Sequence, residues 1–208
     1  MDNDALLSQL DHELILQDIS LDETAQHKLI KYLDLLIRWN KTYNLTAIRD
    51  PKEMVSRHLI DSLTILPYLE GERFIDVGTG AGLPGMVIAI ARPDTSWVLL
   101  DSNLKKTRFL TQVVIELDLN NVEVVHSRIE DYQNDQKFDL ATSRAVTSLS
   151  GLLQQVEHLC PNLLAMKGQI PDDEIKELPE DCEVGVFQVQ IKKEEIQRSI
   201  ITINNQNR

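Results

Sequence analysis

Residues 73–85 read Arg-Phe-Ile-Asp-Val-Gly-Thr-Gly-Ala-Gly-Leu-Pro-Gly, an apolar run that ends in an acid and is followed by four glycines within eight positions. That pattern predicts a buried strand feeding a ligand-binding turn. Glycine tolerates positive φ and lets the backbone approach a ligand without Cβ interference. The first N–H groups of the following helix lack intrahelical partners and are expected to face that ligand. The stretch therefore predicts a grip on a nucleoside-containing cofactor.

Two cofactors compete for the loop. Gly80-x-Gly82-x-x-Gly85 satisfies the dinucleotide pattern, and Asp101 lies about 20 residues downstream, where a ribose-binding acid belongs. NAD thus stays open on the loop alone. Two details favour S-adenosylmethionine. Asp76 is an anion that suits an amino group and a sulfonium but would oppose a pyrophosphate. Pro84, in an early helical turn, removes an N–H donor that phosphate oxygens would use. The plain alternative is a glycine-rich turn that binds nothing.

The chain has 208 residues, 42% of them hydrophobic, enough for a sizeable core in one catalytic-sized domain. No run of about 18 apolar residues and no basic-then-apolar leader is found, so the expectation is a cytoplasmic protein with no membrane partner. Cys160 and Cys182 lack CxxC spacing and the five histidines form no ligand cluster, which predicts idle thiols and no metal. A monomer is the default.

The net charge of −12 is unevenly spread. Residues 1–27 hold seven acids and no Lys or Arg, residues 171–183 hold seven acids against Lys176, and the rest carries a net +1. Within that rest, residues 28–60 place seven basic side chains against three acids: Lys28, Lys31, Arg38, Lys41, Arg49, Lys52 and Arg57. Tyr32, Trp39 and Tyr43 are interleaved with them. Such a strip suits phosphates plus stacked bases; an ordinary solvated helix face with core aromatics would read the same way.

Helical spacing predicts helices over 4–18, 22–40 (capped by Asp22) and 51–69 (with Pro51 at its start). Strand 73–77 is followed by helix 84–91, strand 97–101, helix 103–118, strand 122–126, strand 138–143, helix 147–159 and an apolar stretch 162–166. This alternation predicts an α/β protein with a parallel sheet covered on both faces. Residues 183–191 and 198–204 alternate as strands across a polar turn, an antiparallel pair. Five parallel strands plus that hairpin make the seven-stranded, class I, Rossmann-like sheet of S-adenosylmethionine-dependent methyltransferases. Residues 1–70 are expected to form an N-terminal helical cap on a methyltransferase domain of residues 71–208.

Several segments together resemble one family. They are Trp39-Asn40-x-x-Tyr43-Asn44-Leu45-Thr46-Ala47-Ile48-Arg49-Asp50-Pro51, Arg57-His58-x-x-Asp61-Ser62, the glycine turn from Asp76 to Gly85, Leu99-Leu100-Asp101-Ser102, Ser143-Arg144-Ala145 and Lys167-Gly168. In this order, over almost the whole chain, the sequence is similar to the ribosomal RNA small-subunit methyltransferase G family. The resemblance implies N7-methylation of one guanine in the 530 loop of bacterial 16S rRNA, with 16S rRNA or the small ribosomal subunit as partner. Guanine N7 carries a free lone pair, so no general base is needed; no Asn-Pro-Pro-Tyr-type motif follows the fourth strand and no Cys is placed as a nucleophile.

Roles follow for individual residues. Gly78, Gly80 and Gly82 are expected along the methionine part and ribose of the cofactor, with Leu83 lining that pocket. Asp76 is expected to orient the amino end through water or backbone. Asp101 would accept from the ribose hydroxyls, its plain alternative being a helix N-cap. The resemblance implies that Ile129 and Glu130 flank the adenine and that Asn44, Arg49, His58 and Lys167 contact rRNA or the pocket; for His58 alone, a helix-face or core histidine is the simpler reading. Arg144 is the catalytic candidate at the cofactor mouth, facing either the methionine carboxylate or an rRNA phosphate or guanine, with a salt bridge to a surface acid as its plain alternative.

Overall fold

A computed structural model of the chain describes residues 2–144 and 148–205. Helices α1 (Asn3–Gln17) and α2 (Glu23–Tyr43) come first. Asp22 caps α2 as its side chain accepts from the Ala25 N–H at 2.7 Å, and Asn44 ends it in the left-handed conformation, φ 52°. The expected helix 51–69 is instead broken into four turns of different pitch: α3 (Pro51–Met54), a π-helix (Val55–Ile60), α4 (Asp61–Leu63) and a 3-10 turn (Leu66–Tyr68). Wider π turns leave the apolar spacing readable as helix while shifting which side chains face inward.

Strand β1 (Arg73–Val77) leads through the glycine turn to α5 (Gly85–Ala91), then β2 (Ser96–Asp101), α6 (Leu104–Leu117) and β3 (Val122–His126). A 3-10 turn (Ile129–Asp131) follows, which the sequence reading lacked, and then β4 (Leu140–Arg144), α7 (Leu149–Val156), β5 (Asn162–Lys167) and the unforeseen short α8 (Asp172–Lys176). The hairpin is β6 (Cys182–Ile191) with β7 (Ile196–Asn205). Residue 147, the expected start of helix 147–159, and Ala145 of the Ser-Arg-Ala motif lie outside the described residues; the helix itself ends three residues early, at Val156.

The seven strands order as β3-β2-β1-β4-β5-β7-β6, with β7 antiparallel to β5 and β6 antiparallel to β7. The sheet predicted from alternation and hairpin is thus the sheet observed. Period-two alternation divides its side chains between two cores. Phe74, Trp97, Leu99, Leu164, Met166 and Ile200 join one apolar cluster with α1, α2, α5 and α6. Ile75, Val77, Val98, Leu100, Leu163, Ala165 and Ile201 join the other, with α7. The N-terminal helices share the first core directly, since Leu10, Leu29, Leu33 and Leu36 are fully buried in it. Helix α1 also grips the hairpin turn: Lys193 Nζ donates to the buried Glu13 carboxylate at 2.7 Å.

The strand order reverses at β1, whose neighbours β2 and β4 are reached in opposite directions. A crevice is expected at the carboxyl ends of strands around such a switch point. Both the glycine turn and Arg144 stand there.

Candidate active site

A cleft of about 600 Å³ opens at that point. Its wall is built from the ends of the strands: Val77 and Gly78 after β1, Leu100 to Ser102 after β2, Ser127 to Glu130 after β3, and Arg144 at the end of β4. Leu45 and Thr46, from the segment behind α2, close the other side. Of the residues expected from sequence, Gly78, Gly80, Leu83, Asp101, Ile129, Glu130 and Arg144 line this one cleft. Gly82 sits just behind, where an added Cβ would meet Met86 Cβ at 2.7 Å and Leu110 Cδ2 at 2.8 Å.

The turn needs its glycines for backbone reasons: Gly78, Gly80 and Gly82 take φ of 66°, 63° and 99°. The expectation that the turn aims free N–H groups at a ligand is corrected. Those of Gly82 and Leu83 donate to the Thr79 carbonyl at 2.9 Å each, that of Gly80 to Asp101 Oδ2 at 2.9 Å, and that of Gly85 to Asp76 Oδ2 at 2.9 Å. The turn binds itself and the two acids. What it offers the cleft is a close-packed backbone surface, not an anion nest.

Asp76 alternates with Ile75 and Val77, so it points into the first core and not into the cleft. It is fully buried and accepts three hydrogen bonds: from the Thr79 hydroxyl at 2.6 Å, from Gly85 N–H and from the Thr142 hydroxyl at 3.1 Å. Burial raises its pKa from the ordinary 3.8 to about 6 against the pull of those donors and of Arg144. The structure therefore gives Asp76 the work of tying the glycine turn to β1 and β4. Tyr32 holds the turn from the other side, its hydroxyl donating to the Ala81 carbonyl at 2.8 Å. Tyr32 is fully buried, which removes it from the basic, base-stacking strip, and burial raises its pKa. Trp39 packs between Phe109 and Tyr43, with ring centroids 5.7 and 5.2 Å away. Of the three aromatics only Tyr43 is well exposed, at 42%.

Asp101 ends β2 with its carboxylate shared between the Gly80 N–H and the Asn103 N–H at 2.8 Å; Asn103 caps α6, so the N-cap alternative for Asp101 does not hold. Lys106 Nζ lies 3.5 Å from Asp101 Oδ2 and lines the cleft. Sequence reasoning missed Lys106, although a cation one helical turn beyond a ribose-type acid was a usable signal. It also missed Thr46 and Gln155, which lie in the cleft wall.

His58 is 3% exposed, with Nδ1 3.1 Å from the Arg57 carbonyl and Nε2 2.9 Å from the Thr46 hydroxyl. A carbonyl only accepts, so Nδ1 carries the proton and Nε2 accepts from Thr46. Burial first, then the Arg144 charge, lowers its pKa to about 4, so it is neutral. The core reading of His58 is the one observed; it orients Thr46 in the cleft wall. Asn44 and Arg49 are exposed and joined, Arg49 Nη2 donating to Asn44 Oδ1 at 2.7 Å, outside the cleft. Lys167, at the carboxyl end of β5, donates to Glu174 of α8 at 2.8 Å.

Arg144 is paired, but not with a surface acid. Nη1 donates to Asp61 Oδ2 at 3.1 Å and to the Arg57 carbonyl at 3.3 Å, and Asp61 is 1% exposed. Among the described residues, no cluster of His, Cys, Asp or Glu could hold a metal, and both cysteines are free. No helix among them is long and apolar enough to cross a membrane.

Sheet order, glycine turn and switch-point cleft together define a Rossmann-like methyltransferase fold. A solved structure similar to this one is magnesium protoporphyrin IX methyltransferase from Synechocystis PCC 6803 with bound SAM, at TM-score 0.59 and 11% identity over 83% of this chain and 97% of that one. Residues 25–201 match the model of the rRNA small subunit methyltransferase G family, and the chain belongs to that family. The protein of that name from Stutzerimonas stutzeri is 54% identical over 176 residues, 82% of each chain. The one from Yersinia pseudotuberculosis is 44% identical over 205 residues, 96% of this chain and the whole of that protein.

Proposed function

We propose that the protein methylates N7 of a guanine in the 530 loop of 16S rRNA, with S-adenosylmethionine as donor. The observation that carries the donor is the state of the turn. Two of its N–H groups are spent on the Thr79 carbonyl and two on the carboxylates that stand behind and beside it, a setting hostile to a pyrophosphate and suited to a cationic cofactor. The rRNA substrate is supported by family membership, and the guanine, its N7 and the 530 loop by the sequence resemblance.

In this reading the cofactor supplies a sulfonium-bound methyl group to a ring nitrogen whose lone pair is free, so no general base is required. The chain's work is positioning, which alone supplies about 7–11 kcal/mol in favourable cases. The backbone of Gly78 and Gly80, with Gly82 packed behind, supports the methionine part and ribose; Asp101 accepts from the ribose hydroxyls and Lys106 balances its charge. Leu83 and Ile129 supply apolar walls, and Glu130 accepts from the adenine amino group. Arg144 guards the mouth. Asn44 and Arg49 are exposed rRNA contacts, His58 acts through Thr46, and Lys167 stands at the same end of the sheet. Residues 1–70 serve as a cap on the catalytic residues 71–208, in a cytoplasmic monomer acting on 16S rRNA or the small subunit.

Calorimetry against S-adenosylmethionine and NAD, followed by transfer of a labelled methyl to small subunits, tests this reading. Binding of the first alone, with label in 16S rRNA, is expected; binding of NAD alone would sink it.

A further inference from the structure

Asp61 serves two guanidiniums with one buried carboxylate. Its Oδ2 takes Nη1 of Arg144 at 3.1 Å and its Oδ1 takes Nε of Arg198 at 2.7 Å. The sheet register explains how a residue 54 positions beyond Arg144 arrives there. Arg144 is opposite Met166, and Met166 is opposite Ile200 on the antiparallel β7. Strand β7 therefore starts at the end of the sheet where β4 finishes, and Arg198 lies two residues before Ile200. Just upstream of Asp61 is the π-helix Val55–Ile60.

The charges do not cancel. Two guanidiniums against one carboxylate leave one positive charge over, and the neutral Arg57 carbonyl that also accepts from Arg144 does not offset it. The Arg144 and Arg198 side chains are 24% and 25% exposed; Arg198 Nη1 also donates to the Gln197 carbonyl at 3.3 Å. A purely structural bridge to Asp61 needs one arginine; the second leaves surplus charge in a half-buried place, which costs stability until an anion arrives. Arg144 lines the cleft and Arg198 does not, so an anion touching both lies at the rim, outside the pocket of the cofactor.

We infer that Arg144 and Arg198, held as a pair by Asp61, form a seat for a phosphodiester of the RNA strand entering the cleft. Arg198 is a substrate-binding residue and Asp61 a positioning residue. This rests on the reading of the chain as an rRNA methyltransferase.

Affinity for a 16S rRNA fragment is measured across a salt series, with S-adenosylmethionine affinity in parallel. Arg198→Gln is expected to weaken RNA binding about tenfold and to reduce the slope of log K against log salt by about 1, leaving cofactor affinity within about twofold. Arg198→Gln alone leaves Asp61 and Arg144 as a balanced pair and is expected to fold; the double variant Asp61→Asn with Arg198→Gln, which leaves Arg144 an amide oxygen to donate to, is expected to show at least the same loss. Asp61→Asn alone keeps both arginines and is expected to raise KM for RNA with kcat little changed. An unchanged slope and affinity in folded Arg198 variants would overturn the proposal, as would loss of cofactor affinity with RNA binding intact, which would make the seat one for the methionine carboxylate. Wild-type protein that binds the cofactor but neither binds nor methylates RNA would overturn the functional reading and the seat together.

Discussion

Asp76 and His58 lie buried behind the cleft, and burial moves them in opposite directions, Asp76 up to about 6 and His58 down to about 4. From about pH 4 to 6 the folded state binds more protons at Asp76 than the unfolded state does, so its contribution to stability falls as pH rises. Between about pH 4 and 6.5 the unfolded state binds more protons at the His58 position, so that contribution rises with pH. In the wild type the two slopes oppose. Asp76→Asn is expected to gain stability relative to wild type, by an order of 2–3 kcal/mol, on going from pH 4.5 to 7.5, and His58→Gln to lose a similar amount. Urea unfolding at both pH values checks this; parallel profiles in either variant would contradict it. The glycines separate as well. Gly80→Ala has only Gly78 O and Lys106 Nζ nearby, at 3.9 Å, so it should fold and fill the cleft, with cofactor affinity down at least about tenfold by calorimetry. Gly82→Ala, wedged against Met86 and Leu110, should lose about 1–3 kcal/mol of stability first. The sequence made the glycines and Asp101 visible because their types are rare in that spacing. It left the side of Asp76 undecided until strand alternation was fixed by its neighbours.

The turn is held between elements, and that is where local reading ran short. Strand, helix and hairpin periods were legible because burial imposes them. The π-helix was not, since its wider turn leaves the same apolar composition; yet it runs directly into Asp61. Nor could the sequence show that α2 reaches the glycine turn, 49 residues away, through the Tyr32 hydroxyl. Tyr32→Phe keeps the ring packing and strands the Ala81 carbonyl. The expected loss is about 1–3 kcal/mol in denaturant unfolding. S-adenosylmethionine affinity should fall roughly threefold to tenfold with it, because a looser turn must be ordered on binding; unaltered affinity would mean that α2 does not set the turn.

Over the whole molecule, seven strands, two cores and a cleft at the reversal of strand order follow from alternation, hairpin and glycine turn. The cleft and its rim are assembled from segments far apart in sequence: Thr46 and Arg144 line the same wall, and Asp61 joins Arg144 to Arg198, only through the sheet register and the N-terminal segments. That assembly was invisible to spacing, and only the family resemblance hinted at it, through Thr46, Asp61 and Arg144. The acidic blocks at 1–27 and 171–183 leave the net charge at −12 and weaken indiscriminate attraction to nucleic acid, so recognition must come from a few placed cations. The most direct measurement is a map of N7-methylguanine in 16S rRNA from cells lacking this gene and from the same cells with it restored. The account predicts one N7-methylguanine in the 530 loop, absent in the first and present in the second. An identical modification pattern in both would contradict it.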